Sequence, residues 1–353
     1  MDGIDICCTN RNNNKNACRL GNELFAPKHL SPATAEGDVA TLAALLVDVW
    51  QEPPRLYATG TNDCRGRNNS GTMAALVRTG LEVGFSFHNY PGNAQTSWDK
   101  SDLAAYLLNT TWLRNEVLLG AAPCLEAWGA GPRARGLAVA VTEAAAMCGG
   151  TIAPGAPTTS SFIHGFFSIA QLGQFAHAGV ALVARWGIPD LLGAHGGPTW
   201  DTSHVAADLF LYVIYNNTVG GGVLRVSGDE ASDVLVYAQC AAEHRFGRNG
   251  TITVFAANPS TSAVSLQLSL PARPRVEYVL TAPGGNLSSR TPVLNGQRPL
   301  SLSADGSLPP MDGHFCGQTD CEEVVTLPPL SQGFFVLLGA AADAVCMTGT
   351  RLK

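Results

Sequence analysis

An α/β half followed by an all-β half is what the sequence predicts, on three observations. Short apolar runs alternate with helix-period segments through residues 17–217. β-rich runs parted by Pro, Gly, Asn and Ser clusters fill most of the rest. Two glutamates, Glu23 and Glu143, each stand just past the end of an apolar strand-like run in the first half. A carboxylate at the C-terminal end of a strand, among alternating strands and helices, points into the mouth of a β/α barrel.

The elements follow in order. Residues 17–20 form a short strand that ends in Gly21-Asn22-Glu23. Residues 34–50 are helical, with Leu42, Leu45, Leu46 and Val49 on one face. Residues 55–59 read as a strand, and residues 70–81 as a helix with Ser70 as N-cap. A strand at 82–88 runs into Phe87-His88-Asn89-Tyr90-Pro91. Residues 99–119 are helical, weakened in the middle by Asn109-Thr110-Thr111. The strand at 137–142 leads to Glu143, a helix at 160–177 to a strand at 180–185, and a helix at 203–217 closes this half. These are five βα units. No GxGxxG follows any strand, so a dinucleotide-binding sheet has no support. A barrel needs eight units. Counted back from the last, the five become units four to eight, with Glu23 ending strand 4 and Glu143 ending strand 7.

Gly220-Gly221-Gly222 marks the expected boundary between a barrel part, residues 1–221, and a β-sandwich, residues 222–353. The second part carries strand-like runs at 234–238, 251–256, 264–270, 276–280 and 333–338.

Composition excludes several classes. Apolar residues make up 46% and charged residues 14%, which favours a buried core over disorder. The net charge of −6, with arginines only in pairs such as Arg65/Arg67 and Arg245/Arg248, leaves no basic stripe for nucleic acid. No run is long enough to span a bilayer; the strongest candidate, residues 334–338, reads as a buried strand. Residues 1–15 carry no signal-peptide core. The ten cysteines include no CxxC pair, and neither HExxH nor HxH occurs, so no metal site or cofactor is expected. Cys7, Cys8, Cys18 and Cys64 are a weak zinc set, and His164, His177, His195 and His204 show no ligand spacing. Sequons stand at Asn68, Asn109, Asn216, Asn249 and Asn286. Cysteines and sequons together place the chain in the secretory pathway: extracellular, lysosomal or peripheral to a membrane. The missing signal peptide conflicts with that placement, and the expected resolution is that the true N-terminus is absent from this chain.

Several motifs in one order resemble the heparanase family, glycoside hydrolase family 79. Leu20-Gly21-Asn22-Glu23 resembles that family's acid/base motif. Phe87-His88-Asn89-Tyr90 resembles its His-X-Tyr segment, and Thr142 to Gly150 its nucleophile motif with trailing glycines. Leu327-Pro328-Pro329-Leu330-Ser331, running into Phe334-Phe335-Val336, resembles the end of its β-domain. The resemblance implies a (β/α)8 TIM barrel lacking about its first three βα units, followed by a C-terminal β-sandwich. It implies a Cys240–Cys346 disulfide. Leu24 departs from the family's proline after the acid/base, and Cys148 stands where an aromatic is common.

The family role implies a retaining β-glucuronidase acting on a uronate-containing polysaccharide or proteoglycan. Glu143 would be the nucleophile and Glu23 the acid/base, with carboxyl groups ~5–5.5 Å apart. Asn22 would bond the sugar 2-hydroxyl, and Gly149 and Gly150 would admit the uronate carboxylate. His88 and Tyr90 complete the expected substrate-binding set, with Tyr90 also able to support Glu143. Trp186 and Trp200 lie in a glycine-rich stretch that matches the family poorly. Sulfate recognition needs basic clusters this chain lacks, so a less sulfated glycan fits as well. Two other readings stand beside this one: a non-catalytic fragment or carbohydrate-binding remnant, and a β-sandwich binding module. A separate N-terminal fragment completing the barrel is an expected partner of the first.

Overall fold

The computed structural model describes residues 56–61, 83–94, 102–119, 121–128, 138–147, 157–185, 205–227, 233–247, 250–268, 274–317 and 323–339, and singly residues 37, 40, 41, 44, 77 and 346. The strands are β1 (Leu56–Thr61), β2 (Val83–Asn89), β3 (Val139–Ala144), β4 (Val180–Arg185), β5 (Val219–Leu224), β6 (Leu235–Ala241), β7 (Ile252–Asn258), β8 (Val264–Gln267), β9 (Arg275–Thr281), β10 (Val293–Leu294), β11 (Arg298–Pro299), β12 (His314–Cys316), β13 (Val324–Leu327) and β14 (Ser331–Leu337). The helices are α1 (Pro91–Ala94), α2 (Leu103–Leu107), α3 (Thr110–Asn115), α4 (Ala122–Trp128), α5 (His164–His177), α6 (Asp208–Thr218) and α7 (Glu243–Phe246). They fall into two compact units.

The first unit is built on β1 to β4, with α1 and α4. All three strand pairs are parallel, in the sequential order β1-β2-β3-β4. Sequential order has no switch point, unlike a doubly wound sheet. Phe85 and Phe87 of β2 are fully buried with stacked rings 6.4 Å apart. Gly84 is required by close approach: a Cβ there would lie 2.5 Å from the Tyr57 ring and 2.8 Å from the Ala138 carbonyl oxygen.

β3 carries a β-bulge. Phe87 pairs with Val141 but His88 pairs with Glu143, so Thr142 is an extra residue. The β4 side agrees: Val141 pairs with Val183 and Ala144 with Arg185, three steps of β3 against two of β4. Glu143 is therefore a strand residue, not the first residue beyond a strand as expected from the sequence. The bulge extends pairing past the apolar run.

The second unit gathers α2, α3, α5 and α6 with the antiparallel strands. Its large sheet runs β11-β10-β9-β14-β7-β6-β5, with β12 added to β9, and β8 and β13 form a separate pair. β7 and β14 are buried at every position because both faces of the sheet are covered. Alternate residues point to opposite faces. On one face, Val254, Ala256, Phe335 and Leu337 pack with Val325 and Leu327 of β13. On the other, Phe255 meets Phe334, Tyr237 and Tyr215 of α6. Helix α5 lies on this second face, where a Cβ on Gly173 would fall 2.2 Å from the Tyr237 ring. His164 opens α5 and its Nδ1 lies 2.8 Å from Asp208 Oδ2 at the start of α6, both side chains fully buried.

Two expectations are corrected here. Gly220, Gly221 and Gly222 sit inside β5, so the expected 221/222 boundary falls within a strand. A Cβ on Gly220 would meet the Ala241 carbonyl oxygen at 2.5 Å, so the first of these glycines serves close strand pairing. The helix expected over 99–119 is broken, because the Asn109 side chain accepts from Trp112 N–H at 3.0 Å and caps a new helix, α3. The expected strand at 17–20 lies outside the described residues. Residues 37, 40, 41 and 44, and residue 77, are helical where helices were expected.

Cys240 and Cys346 form a disulfide with Cα atoms 5.5 Å apart. Cys124 and Cys316 each take part in a disulfide as well, not with one another. Among the described residues, no helix is long and apolar enough to cross a membrane.

Candidate active site

The C-terminal ends of β2 and β3 bring three of the expected site residues together. The Tyr90 hydroxyl donates to Glu143 Oε2 at 2.7 Å. His88 Nδ1 lies 3.3 Å from the same oxygen. Alternation along β2 puts His88 and Tyr90 on one face. The bulge at Thr142 puts Glu143 on that face as well. In an unbulged ladder Thr142 would oppose His88, and Glu143 would share the face of Phe87 and Val141, both buried and apolar.

Backbone bonds fix the two strand ends to each other. Ala145 N–H donates to the Asn89 carbonyl at 3.2 Å, and Gly92 N–H donates to the Ala146 carbonyl at 2.9 Å. Asn89, Ala145 and Ala146 are buried, so this frame is shielded from competing water.

Electrostatics follow from burial. Glu143 keeps only 16% of its side chain exposed. Desolvation raises its pKa above the usual carboxylate value, and the Tyr90 hydrogen bond partly offsets that by favouring the charged form. Burial lowers the pKa of His88. The pairing of His88 with Glu143 is therefore not an ion pair at neutral pH. The buried imidazole is neutral there, with its Nδ1 set against the carboxylate oxygen. The arrangement is a half-buried carboxylate with one oxygen, Oε2, anchored by two neighbours. That is the equipment of a held nucleophile or base.

The remaining expected residues divide as follows. Glu23, Asn22, Gly149 and Gly150 lie outside the described residues, as do Trp186, Trp200, His195 and His204. His164 pairs with Asp208, and His177 packs 6.2 Å from the Tyr237 ring, both in the second unit. The described sequon asparagines Asn109, Asn216 and Asn286 are exposed; Asn68 and Asn249 lie outside the described residues. Among the described residues, no group of three His, Cys, Asp or Glu side chains is placed to hold a metal ion. The sequence reading missed the Thr142 bulge. The run 137–142 gives no signal of it: five apolar residues end at Val141, whereas the strand continues to Ala144.

No family profile matches the chain. It is 30% identical over 190 residues to a hyaluronoglucuronidase of Hirudo nipponia, covering 52% of this chain and 37% of that protein. It is 28% identical over 192 residues to a baicalin-β-D-glucuronidase of Scutellaria baicalensis, covering 53% and 34%. The matched part thus spans little more than a third of either curated relative. In structure it is similar to a glycoside hydrolase family 44 endoglucanase of Clostridium acetobutylium, with a TM-score of 0.50 at 12% identity, over 90% of this chain and 64% of that one. That likeness speaks to the fold alone. Over about half of its length the chain is a relative of glycosyl-bond hydrolases. Both curated relatives are glucuronidases by name, which accords with the resemblance to the heparanase family.

Proposed function

We propose that the protein is a retaining β-glucuronidase of the heparanase type that cleaves uronate-containing polysaccharide or proteoglycan chains. One observation carries the reading: Glu143, at the C-terminal end of a parallel strand, is anchored through Oε2 by Tyr90 and His88. In this reading the other oxygen, Oε1, attacks the anomeric carbon and forms a glycosyl-enzyme ester. Glu23 protonates the leaving oxygen, then takes a proton from the water that hydrolyses the ester. Tyr90 steadies the carboxylate, and His88 supplies a neutral donor beside it. Asn22 bonds the 2-hydroxyl, and Gly149 and Gly150 accommodate the uronate carboxylate.

The wider layout belongs to the same proposal. The parallel strands are barrel strands and the antiparallel strands a β-sandwich. The sequential order of β1 to β4 supports the first, and the β8–β13 pair packed on the large sheet supports the second. The protein is a secretory-pathway glycoprotein, which the disulfides and the exposed sequon asparagines support.

The test is hydrolysis of a chromogenic aryl β-glucuronide beside the matching aryl β-glucoside. The reading expects glucuronide turnover that Glu143→Gln abolishes. Turnover of the glucoside in preference, or undiminished activity in Glu143→Gln, overturns it.

A further inference from the structure

A shallow groove on the second unit is lined by Asn216, Val219, Gly220, Ala242, Glu243 and His244. It lies where the C-terminal end of α6 passes into β5 and meets α7. Ala242 N–H donates to the Thr218 carbonyl at 3.0 Å, and the Thr253 hydroxyl donates to the same carbonyl at 2.5 Å, so the groove has a fixed backbone frame. Val219 and Ala242 are buried, while Glu243 and His244 are exposed. A mostly polar lining, with the Asn216, Glu243 and His244 side chains around small buried residues, suits the hydroxyl edges of a sugar.

Asn216 supplies the occupant. It is the first residue of Asn216-Asn217-Thr218, is exposed, and lines the groove itself. We infer that the groove is an intramolecular seat for the innermost sugars of an N-glycan on Asn216. The proposal rests on the secretory-pathway reading above. In the modification, the Asn216 amide nitrogen displaces pyrophosphate from the anomeric carbon of a lipid-pyrophosphate-linked N-acetylglucosamine. An N-glycosidic bond forms, the lipid pyrophosphate leaves, and the amide gives up one proton.

The sequon also says when this happens. Thr218 is fully buried, and its hydroxyl donates to the Ile214 carbonyl at 2.8 Å. That hydroxyl is out of reach once α6 has formed, so the chain is modified before the helix closes. Folding then lays the attached sugar into the groove. Asn286 is the natural comparator. It sits in an exposed turn where its Oδ1 accepts from Ser288 N–H at 3.0 Å, and it lies outside the groove.

The experiment uses the full chain secreted from cells that add high-mannose glycans. The native protein is treated with endoglycosidase H, and glycan release at Asn216 and Asn286 is followed by glycopeptide mass spectrometry. Both sites are expected to be occupied, with release at Asn216 several-fold slower. The double substitution Glu243→Ala, His244→Ala is expected to bring the Asn216 rate up to that of Asn286, with an unchanged circular dichroism spectrum. Equal rates in the unsubstituted protein overturn the proposal. So does protection that survives the double substitution, or an empty Asn216 beside an occupied Asn286. An unmodified chain at both sites overturns the secretory reading, and the seat falls with it.

Discussion

Glu143 is held in two opposed ways, by burial that favours its proton and by a Tyr90 hydroxyl that favours its charge. As a nucleophile it must be ionised, so its pKa sets the acid limb of the pH–rate profile. Tyr90→Phe removes the lowering influence and leaves desolvation. The acid limb of kcat/KM should therefore move to higher pH, with a smaller change on the plateau. An unmoved or lowered limb contradicts the assignment. Stability carries the same sign. The folded chain holds the Glu143 proton at a pH where the unfolded chain has released it, so this group's contribution falls as pH rises from the ordinary value of 4.5 through the raised one. Glu143→Gln removes that cost. Its Tm should exceed that of the parent at neutral pH, with the difference vanishing below the ordinary carboxylate value; thermal melts at both pH values decide it.

At the scale of the element, the bulge in β3 decides which residue faces His88. Because Thr142 is the extra residue, position 143 and not 142 lies opposite His88. The double swap Thr142→Glu, Glu143→Thr should stay as inactive as Glu143→Gln. Recovered activity would mean an unbulged strand. Element type was largely legible in the sequence. The strand at 180–185 matches β4, and those expected at 82–88, 251–256 and 276–280 match β2, β7 and β9 within two residues at each end. Each combines an apolar run with flanking turn residues. The failures have local causes. Asn109 was read as a weak point inside one helix, but its side chain caps a second. Gly220 to Gly222 were read as a boundary, because composition does not distinguish a glycine between domains from one that, like Gly220, lets two strands approach. The short strands β10 to β12 span only two or three residues, too few for any period to register.

At the scale of the molecule, the sequence pointed to a parallel and an antiparallel part, and it counted the helices at 160–177 and 203–217 with the parallel one. α5 and α6 belong in the same compact unit as the large antiparallel sheet, against Phe255 and Tyr237. That assignment is set by facing aromatic and glycine positions far apart in the chain, which no local pattern reveals. The same holds for the site. Glu143, His88 and Tyr90 were each legible from the motifs that contain them, but the sharing of one carboxylate oxygen is a product of register. The Cys240–Cys346 bridge closes a separation of 106 residues and ties β6 to the C-terminal region of the chain. Replacing both cysteines by serine should cost about 2–5 kcal/mol in denaturant unfolding, and a negligible change would show that the closed loop adds little to folding. The most direct test of the whole account is covalent trapping. The chain is incubated with a 2-deoxy-2-fluoro-β-glucuronyl fluoride and digested, and the labelled peptide is sequenced by mass spectrometry. The account predicts a single adduct on Glu143 that is absent from Glu143→Gln. An adduct on any other residue, or turnover of aryl glucuronide by a chain whose Glu143 stays unlabelled, contradicts it.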